Sequence, residues 1–100
     1  MRLRYTLPAL ADVDAILDHI AAHSPQGKRR VQARIKASVE LLLLHPLIGR
    51  RTGDPVIRRI TVTSYPYLIF YEVTDSEVVI HTIRHGARNP STMPGADGSA

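Results

Sequence analysis

The chain has 100 residues, enough for one domain with a single core, and its composition (44% hydrophobic, 22% charged) is that of a globular protein. It contains no cysteine, which excludes disulfides and thiolate chemistry, and no apolar stretch approaches the ~20 residues of a membrane span. The formal net charge is +4, carried mainly by arginines, which favours an acidic protein or a nucleic-acid complex as the partner.

The N-terminal half of the chain is predicted to begin with a short strand and to continue as a helix. Arg2 and Arg4 alternate with Leu3 and Tyr5, a period of two that indicates a strand within residues 1–6. From Pro8 onward, apolar residues recur at spacings of three and four and form one stripe of an amphipathic helix. This stripe comprises Leu10, Val13, Ile16, Leu17, Ile20 and Ala21.

A second helix is predicted to begin directly after Ser24, where Ser24 is an N-cap and Pro25 occupies the first helical position. Its end is predicted at about Leu44, because His45 precedes Pro46 and the residue before a proline disfavours helical geometry. So short a connection makes the two helices an antiparallel hairpin.

The C-terminal half is predicted to be a three-stranded antiparallel meander. Residues 47–55 contain two glycines and a proline and are predicted as a loop. The strands follow at residues 56–63, at the aromatic run Tyr65–Val73 and at residues 77–84. The resulting fold class is α+β with the order β-α-α-β-β-β, in which the helical hairpin packs on one face of a small antiparallel sheet.

The other face of this sheet has no second layer in the sequence. We therefore expect it to leave apolar surface exposed that a partner chain covers. The domain is expected to span residues 1–89, and residues 90–100 are expected to form a flexible tail because they contain too few apolar residues to bury.

Three segments resemble the RelE/ParE superfamily of bacterial toxins, and in particular its ParE-like branch. They are Pro46–Arg50 after the long helix, Tyr67–Val73 in the central strand, and Ile83–Pro90 near the end. The resemblance covers residues 1–90. It implies a cytoplasmic toxin without a membrane segment, neutralised by a ParD-like or related antitoxin in a heteromeric toxin–antitoxin complex.

Two mechanisms compete within that superfamily. RelE-like members cut messenger RNA on the ribosome with basic residues on the strands and a C-terminal tyrosine, and Arg59 and Arg88 match such basic positions. Thr61 and Leu68 stand where those ribonucleases carry further basic residues, and no tyrosine follows Arg88. These departures favour the ParE-like mechanism, a non-enzymatic inhibition of DNA gyrase in which nucleic acid is reached only indirectly, through the complex.

The alternative mechanism, phosphodiester cleavage, needs proton carriers and cations for the phosphorane charge. Arg59, Arg84 and Arg88 would supply the cations, and His81 with His85 would carry protons if both point to one face of their strand. The competing interpretation is that His81 is an ordinary strand residue at the sheet surface and that His85 begins the turn at Gly86. No third ligand at useful spacing accompanies them, so neither a metal nor a cofactor is expected.

Six residues are predicted to contact the partner. Arg30 and Arg34 form a basic flank on the second helix that suits an acidic antitoxin segment or DNA, although a solvated helix face explains them equally well. The others are Arg58, Tyr67, Tyr71 and Arg84, with the tyrosines expected to pack rather than to stack on bases. A third possibility is a non-toxic member of the superfamily that acts only in an antitoxin complex.

Overall fold

The computed structural model describes residues 1–86. Arg88 and the predicted tail, residues 90–100, lie outside the described residues. Within the described part, a strand is followed by two helices and four further strands: β1 (Arg2–Tyr5), α1 (Leu7–Ala21), α2 (Pro25–Leu44), β2 (Arg50–Arg51), β3 (Ile57–Thr61), β4 (Tyr67–Val73) and β5 (Glu77–His85).

Both helices begin at hydroxyl caps followed by proline. The Thr6 hydroxyl accepts a hydrogen bond from the Ala9 amide at 3.2 Å, and the Ser24 hydroxyl accepts one from the Gly27 amide at 2.9 Å. Each cap satisfies an amide that has no partner inside the helix. The predicted bounds of α2 are confirmed. Neither of these two helices is long and apolar enough to cross a membrane.

The strands form one five-stranded sheet in the order β1-β5-β4-β3-β2, which confirms the α+β fold class. Two features differ from the prediction. First, β1 pairs in parallel with β5. Parallel strands need a long connection, and here the two helices and three further strands separate β1 from β5 in the chain. Second, the predicted loop at residues 47–55 contains β2, where Arg50 lies opposite Arg59 and Arg51 opposite Arg58. A strand of two arginines has no hydrophobic alternation to reveal it.

The main core lies between the helices and one face of the sheet. It is formed by Ala9, Leu17, Val31, Ile35, Val39, Leu42, Val62, Ile69, Tyr71, Val78, Ile80 and Ile83. Because side chains alternate along a strand, the residues between these on β3 and β4 point to the opposite side. We call that side the open face; it carries a small second cluster of Ile57, Phe70 and Leu68.

The exposed apolar surface does not lie where it was predicted. Phe70, at the centre of the open face, is only 1% exposed. Most of the large apolar side chains that are exposed in residues 1–86 lie instead near the start of α1 and around the end of α2; Leu3 on β1 and Val56 before β3 are also exposed. Phe70 is buried because β4 lies inside the sheet and has a neighbouring strand on each side. Phe70 is paired in register with Arg59 of β3 and Thr82 of β5.

Candidate functional site

The open face brings together Arg59 of β3 and Arg84 of β5. Arg59 is paired with Phe70, and Arg84 is paired with Leu68, so two apolar residues of β4 lie between the two arginines. Arg59 is half-buried and Arg84 is exposed. The face can therefore offer two cations to a partner, but its centre is apolar.

His81 also lies on the open face, where it has a carboxylate partner. Its Nε2 lies 2.8 Å from Oε1 of Glu72 on β4, and both side chains are about one-third exposed. Such a pair fixes the orientation of the imidazole ring and is an arrangement that a general base can use. Glu72 could not be identified from the sequence as the partner of His81, because its register opposite Val79 depends on the pairing of β4 with β5.

His85 lies on the other side of the sheet from His81. A β-bulge in the pairing of β4 with β5 matches Tyr71 with Ile80 but Phe70 with Thr82, so His81 is an extra residue and the alternation shifts by one. His85 consequently shares the helix-covered side with Ile83 and contacts Tyr67 edge to face, with the ring centroids 5.5 Å apart. The shared face proposed for His81 and His85 is corrected by this bulge.

A cavity of about 470 Å³ lies between α1 and the end of β5. Its walls include Asp12, His19, Tyr67 and His85. The Asp12 Oδ2 accepts hydrogen bonds from the Thr82 hydroxyl and, at 3.1 Å, from the Ile83 amide. Asp12 thus links α1 to β5, just beyond the last residue of β5 that pairs with β1.

Tyr71 is fully buried and holds the loop after α2 against the sheet. Its hydroxyl accepts a hydrogen bond from the Gly49 amide at 2.8 Å and donates one to the Pro46 carbonyl at 2.7 Å. Burial raises the pKa of the Tyr71 phenol above its ordinary value of 10.0, while the Gly49 amide and the Arg58 guanidinium oppose the rise. The predicted partner contact of Tyr71 is replaced by these contacts within the chain.

Arg58 completes this arrangement. Its guanidinium donates hydrogen bonds to the Gly49 carbonyl at 3.0 Å and to the Leu47 carbonyl at 3.4 Å. Arg58 therefore holds the loop against the sheet. It lies on the opposite face of the sheet from Arg59. We call the contacts of Tyr71 and Arg58 with residues 46–49 the loop latch.

The remaining predicted residues are spread over the molecule. Arg30 and Arg34 are exposed on α2. Arg88, the other basic residue proposed for RNA cleavage, lies outside the described residues. Within residues 1–86, no group of three His, Cys, Asp or Glu side chains is arranged to hold a metal ion.

Comparison with known proteins gives a consistent result. A family model described as the ParE toxin of the type II toxin–antitoxin system parDE matches residues 3–90. The Toxin RelE2 of Caulobacter vibrioides is 39% identical over 84 residues, which are 84% of this chain and 93% of that protein. The Putative toxin Y4kP of Sinorhizobium fredii is 34% identical over 84 residues, covering 84% and 86% of the two chains.

The fold leads to the same family. A solved structure of the chromosomal ParDE TA system from P. aeruginosa superposes with a TM-score of 0.75 at 28% identity, over 85% of this chain and 95% of that one. The family match runs from the second residue of β1 through β5 and includes the Pro46–Arg50 segment held by the loop latch. The chain therefore belongs to the ParE toxin family of type II toxin–antitoxin systems.

Proposed function

We propose that this chain is a ParE-like inhibitor of DNA gyrase that a cognate, ParD-like antitoxin keeps inactive in a heteromeric complex in the cytoplasm. The observation that carries the proposal is the apolar centre of the open face. Leu68 packs there beside Phe70, between Arg59 and Arg84, at a position where RelE-like ribonucleases carry a basic residue. A face built this way supplies fewer cations for a phosphorane.

Gyrase inhibition by binding needs no catalytic residue, so the toxin acts by occupying a surface of its target. The purified chain is expected to block supercoiling by gyrase and to raise the amount of cleaved DNA, and its expression without antitoxin should induce the DNA-damage response. The cognate antitoxin, added first, should abolish both effects. If gyrase is unaffected while messenger RNA is cut on the ribosome, the proposal is wrong.

One observation favours the second candidate, a ribosome-dependent endoribonuclease. The His81–Glu72 pair lies on the same face as Arg59 and could serve as a general base beside a cation. Under this alternative, His81→Ala should abolish growth inhibition while the protein remains folded. Under gyrase inhibition, His81→Ala should leave supercoiling inhibition within about threefold of the wild type, because inhibition by binding needs no general base and most single side chains contribute little to a binding free energy.

A further inference from the structure

Four exposed apolar side chains form a ridge at the end of α2 and in the loop that follows it. Leu41 is 42% exposed, Leu44 75%, Leu47 66% and Ile48 52%. Leu41 and Leu44 are neighbours on the helix surface, and the Ile48 amide donates a hydrogen bond to the His45 carbonyl at 3.1 Å, which folds the loop back onto the helix end. Contiguous apolar surface of this kind marks an interaction site. We call these four residues the apolar ridge.

The loop latch holds the ridge in one shape. The Tyr71 hydroxyl fixes Pro46 and Gly49, the residues on either side of Leu47 and Ile48. The Arg58 guanidinium binds the Leu47 carbonyl from the sheet. Because these backbone atoms are already ordered, a partner that binds the ridge loses little conformational entropy in the loop. The ridge is therefore a preorganised surface.

A groove of about 420 Å³ runs beside the ridge, between α2 and β3. The charged residues that line it, Arg50 and Arg59, are both positive. Leu41 and Ile48 form one side, and Arg50, Arg59 and Leu68 contribute to the remainder. Within residues 1–86, the arginine that forms a salt bridge is Arg4, with Glu77, so no carboxylate in this part of the chain pairs with Arg50 or Arg59. Charge complementarity therefore calls for an acidic occupant.

We propose that the apolar ridge and its groove are the docking surface for an acidic amphipathic segment of the antitoxin. Apolar side chains of that segment would cover Leu47 and Ile48, and its carboxylates would reach Arg50 and Arg59. A protein segment fits better than nucleic acid, because four exposed aliphatic side chains offer no contact to a phosphate backbone. The inference deepens the proposed function and rests on it, since it requires that an antitoxin exists.

The test compares two double variants that change exposed leucines or isoleucines only. Leu47→Glu/Ile48→Glu adds charge to the ridge, and Leu7→Glu/Leu10→Glu is the matched control at the start of α1, where the two side chains are 80% and 47% exposed. The probe is the purified antitoxin encoded beside the toxin gene, titrated calorimetrically. We expect the ridge variant to raise Kd by about 30-fold or more, the effect of losing an interface hot spot, and the control to change Kd less than about threefold.

A charge reversal tests the arginine side of the groove. Arg50→Glu should weaken antitoxin binding and reduce its dependence on salt concentration, because the steering charge has changed sign. Arg50→Lys keeps the positive charge and should retain most of the affinity. If both Arg50 variants bind the antitoxin as tightly as the wild type does, the occupant of the groove is not acidic and this part of the proposal is wrong.

The outcomes separate this inference from the proposed function. If the wild-type chain does not bind the antitoxin, the proposed function fails and the inference fails with it. If the wild type binds and Leu47→Glu/Ile48→Glu binds equally well, only the inference fails. If the ridge variant instead converts a dimer of the free chain into a monomer in sedimentation velocity and keeps its antitoxin affinity, the ridge is a self-association surface. Should the glutamate variant not fold, Leu47→Ser/Ile48→Ser replaces it.

Discussion

At the scale of single residues, the Tyr71 hydroxyl has the most consequences for the structure. Replacing it in Tyr71→Phe leaves the Gly49 amide and the Pro46 carbonyl without their partner in a site where Tyr71 is fully buried. We expect the free energy of unfolding to fall by about 1–3 kcal/mol, the cost of unsatisfied buried polar groups. Urea unfolding measures it, and Tyr67→Phe, at a partly exposed tyrosine, should stay within about 0.5 kcal/mol of the wild type.

The same tyrosine predicts how stability changes at alkaline pH. Burial raises the pKa of Tyr71, and that of Tyr5, above the ordinary value of 10.0. Above pH ~10 the unfolded chain loses these protons while the folded chain keeps them, so the stabilisation present below pH 10 is lost as pH rises through the folded pKa. The free energy of unfolding should fall more steeply between pH 9 and about 11 in the wild type than in Tyr71→Phe. Parallel curves would contradict the buried phenol.

Gly49 has no room for a side chain, which explains the glycine in the Pro46–Arg50 segment. A Cβ at this position would meet the Tyr71 ring, with Cε1 at 2.7 Å, and the Arg59 carbonyl oxygen at 2.9 Å. We expect Gly49→Ala to destabilise the fold by about 1–3 kcal/mol, as overpacking does. Tyr71→Phe removes the hydroxyl but neither the ring nor the carbonyl, so Gly49→Ala should still be destabilising in the Tyr71→Phe background. A stability equal to that of Tyr71→Phe alone would show that only the hydroxyl is in conflict.

At the scale of elements, the two helix caps differ in what else they hold. Ser24 caps α2 only, whereas the Thr6 hydroxyl also donates a hydrogen bond to the His81 carbonyl of β5 at 3.0 Å. Ser24→Ala should cost about 1 kcal/mol. Thr6→Ala should cost about 1 kcal/mol more, because a second hydrogen bond between helix and sheet is lost. Thermal unfolding compares the two variants, and equal losses would mean that the bond to His81 contributes nothing.

The elements also show which part of the fold was readable from the sequence. Hydrophobic periodicity predicts both helices, and Ser24 with Pro25 marks the start of the second. The aromatic run predicts the central strand, so the order of these elements was predictable. The bulge at His81 was not, because an extra residue in a strand depends on the partner strand and leaves the local pattern unchanged. That single residue decides whether His81 and His85 share a face.

At the scale of the whole molecule, the candidate binding surface follows from tertiary structure. In the sequence, Leu41 and Leu44 are part of the leucine run that ends the second helix, and Leu47 and Ile48 lie in the loop predicted at residues 47–55. Their exposure becomes visible only when α2 is placed on the sheet and Tyr71 fixes the loop. The sequence accordingly predicted the family and the need for a partner, but it placed the exposed apolar surface on the open face.

The parallel pairing of β1 with β5 joins the two ends of the domain and can be tested by truncation. Arg2–Tyr5 pairs with Glu77–Ile80, and the half-buried Tyr5 packs against the main core. Deleting residues 2–5 would expose the edge of β5, whose Val78 and Ile80 are fully buried, and would open unpaired backbone groups to other chains. We expect this deletion to abolish cooperative thermal unfolding and to cause aggregation, visible by light scattering. Deletion of residues 91–100, beyond the family match at residues 3–90, is the control and should leave Tm within about 2 °C of the full chain. A folded, monomeric variant without residues 2–5 would show that β5 does not need the N-terminal strand.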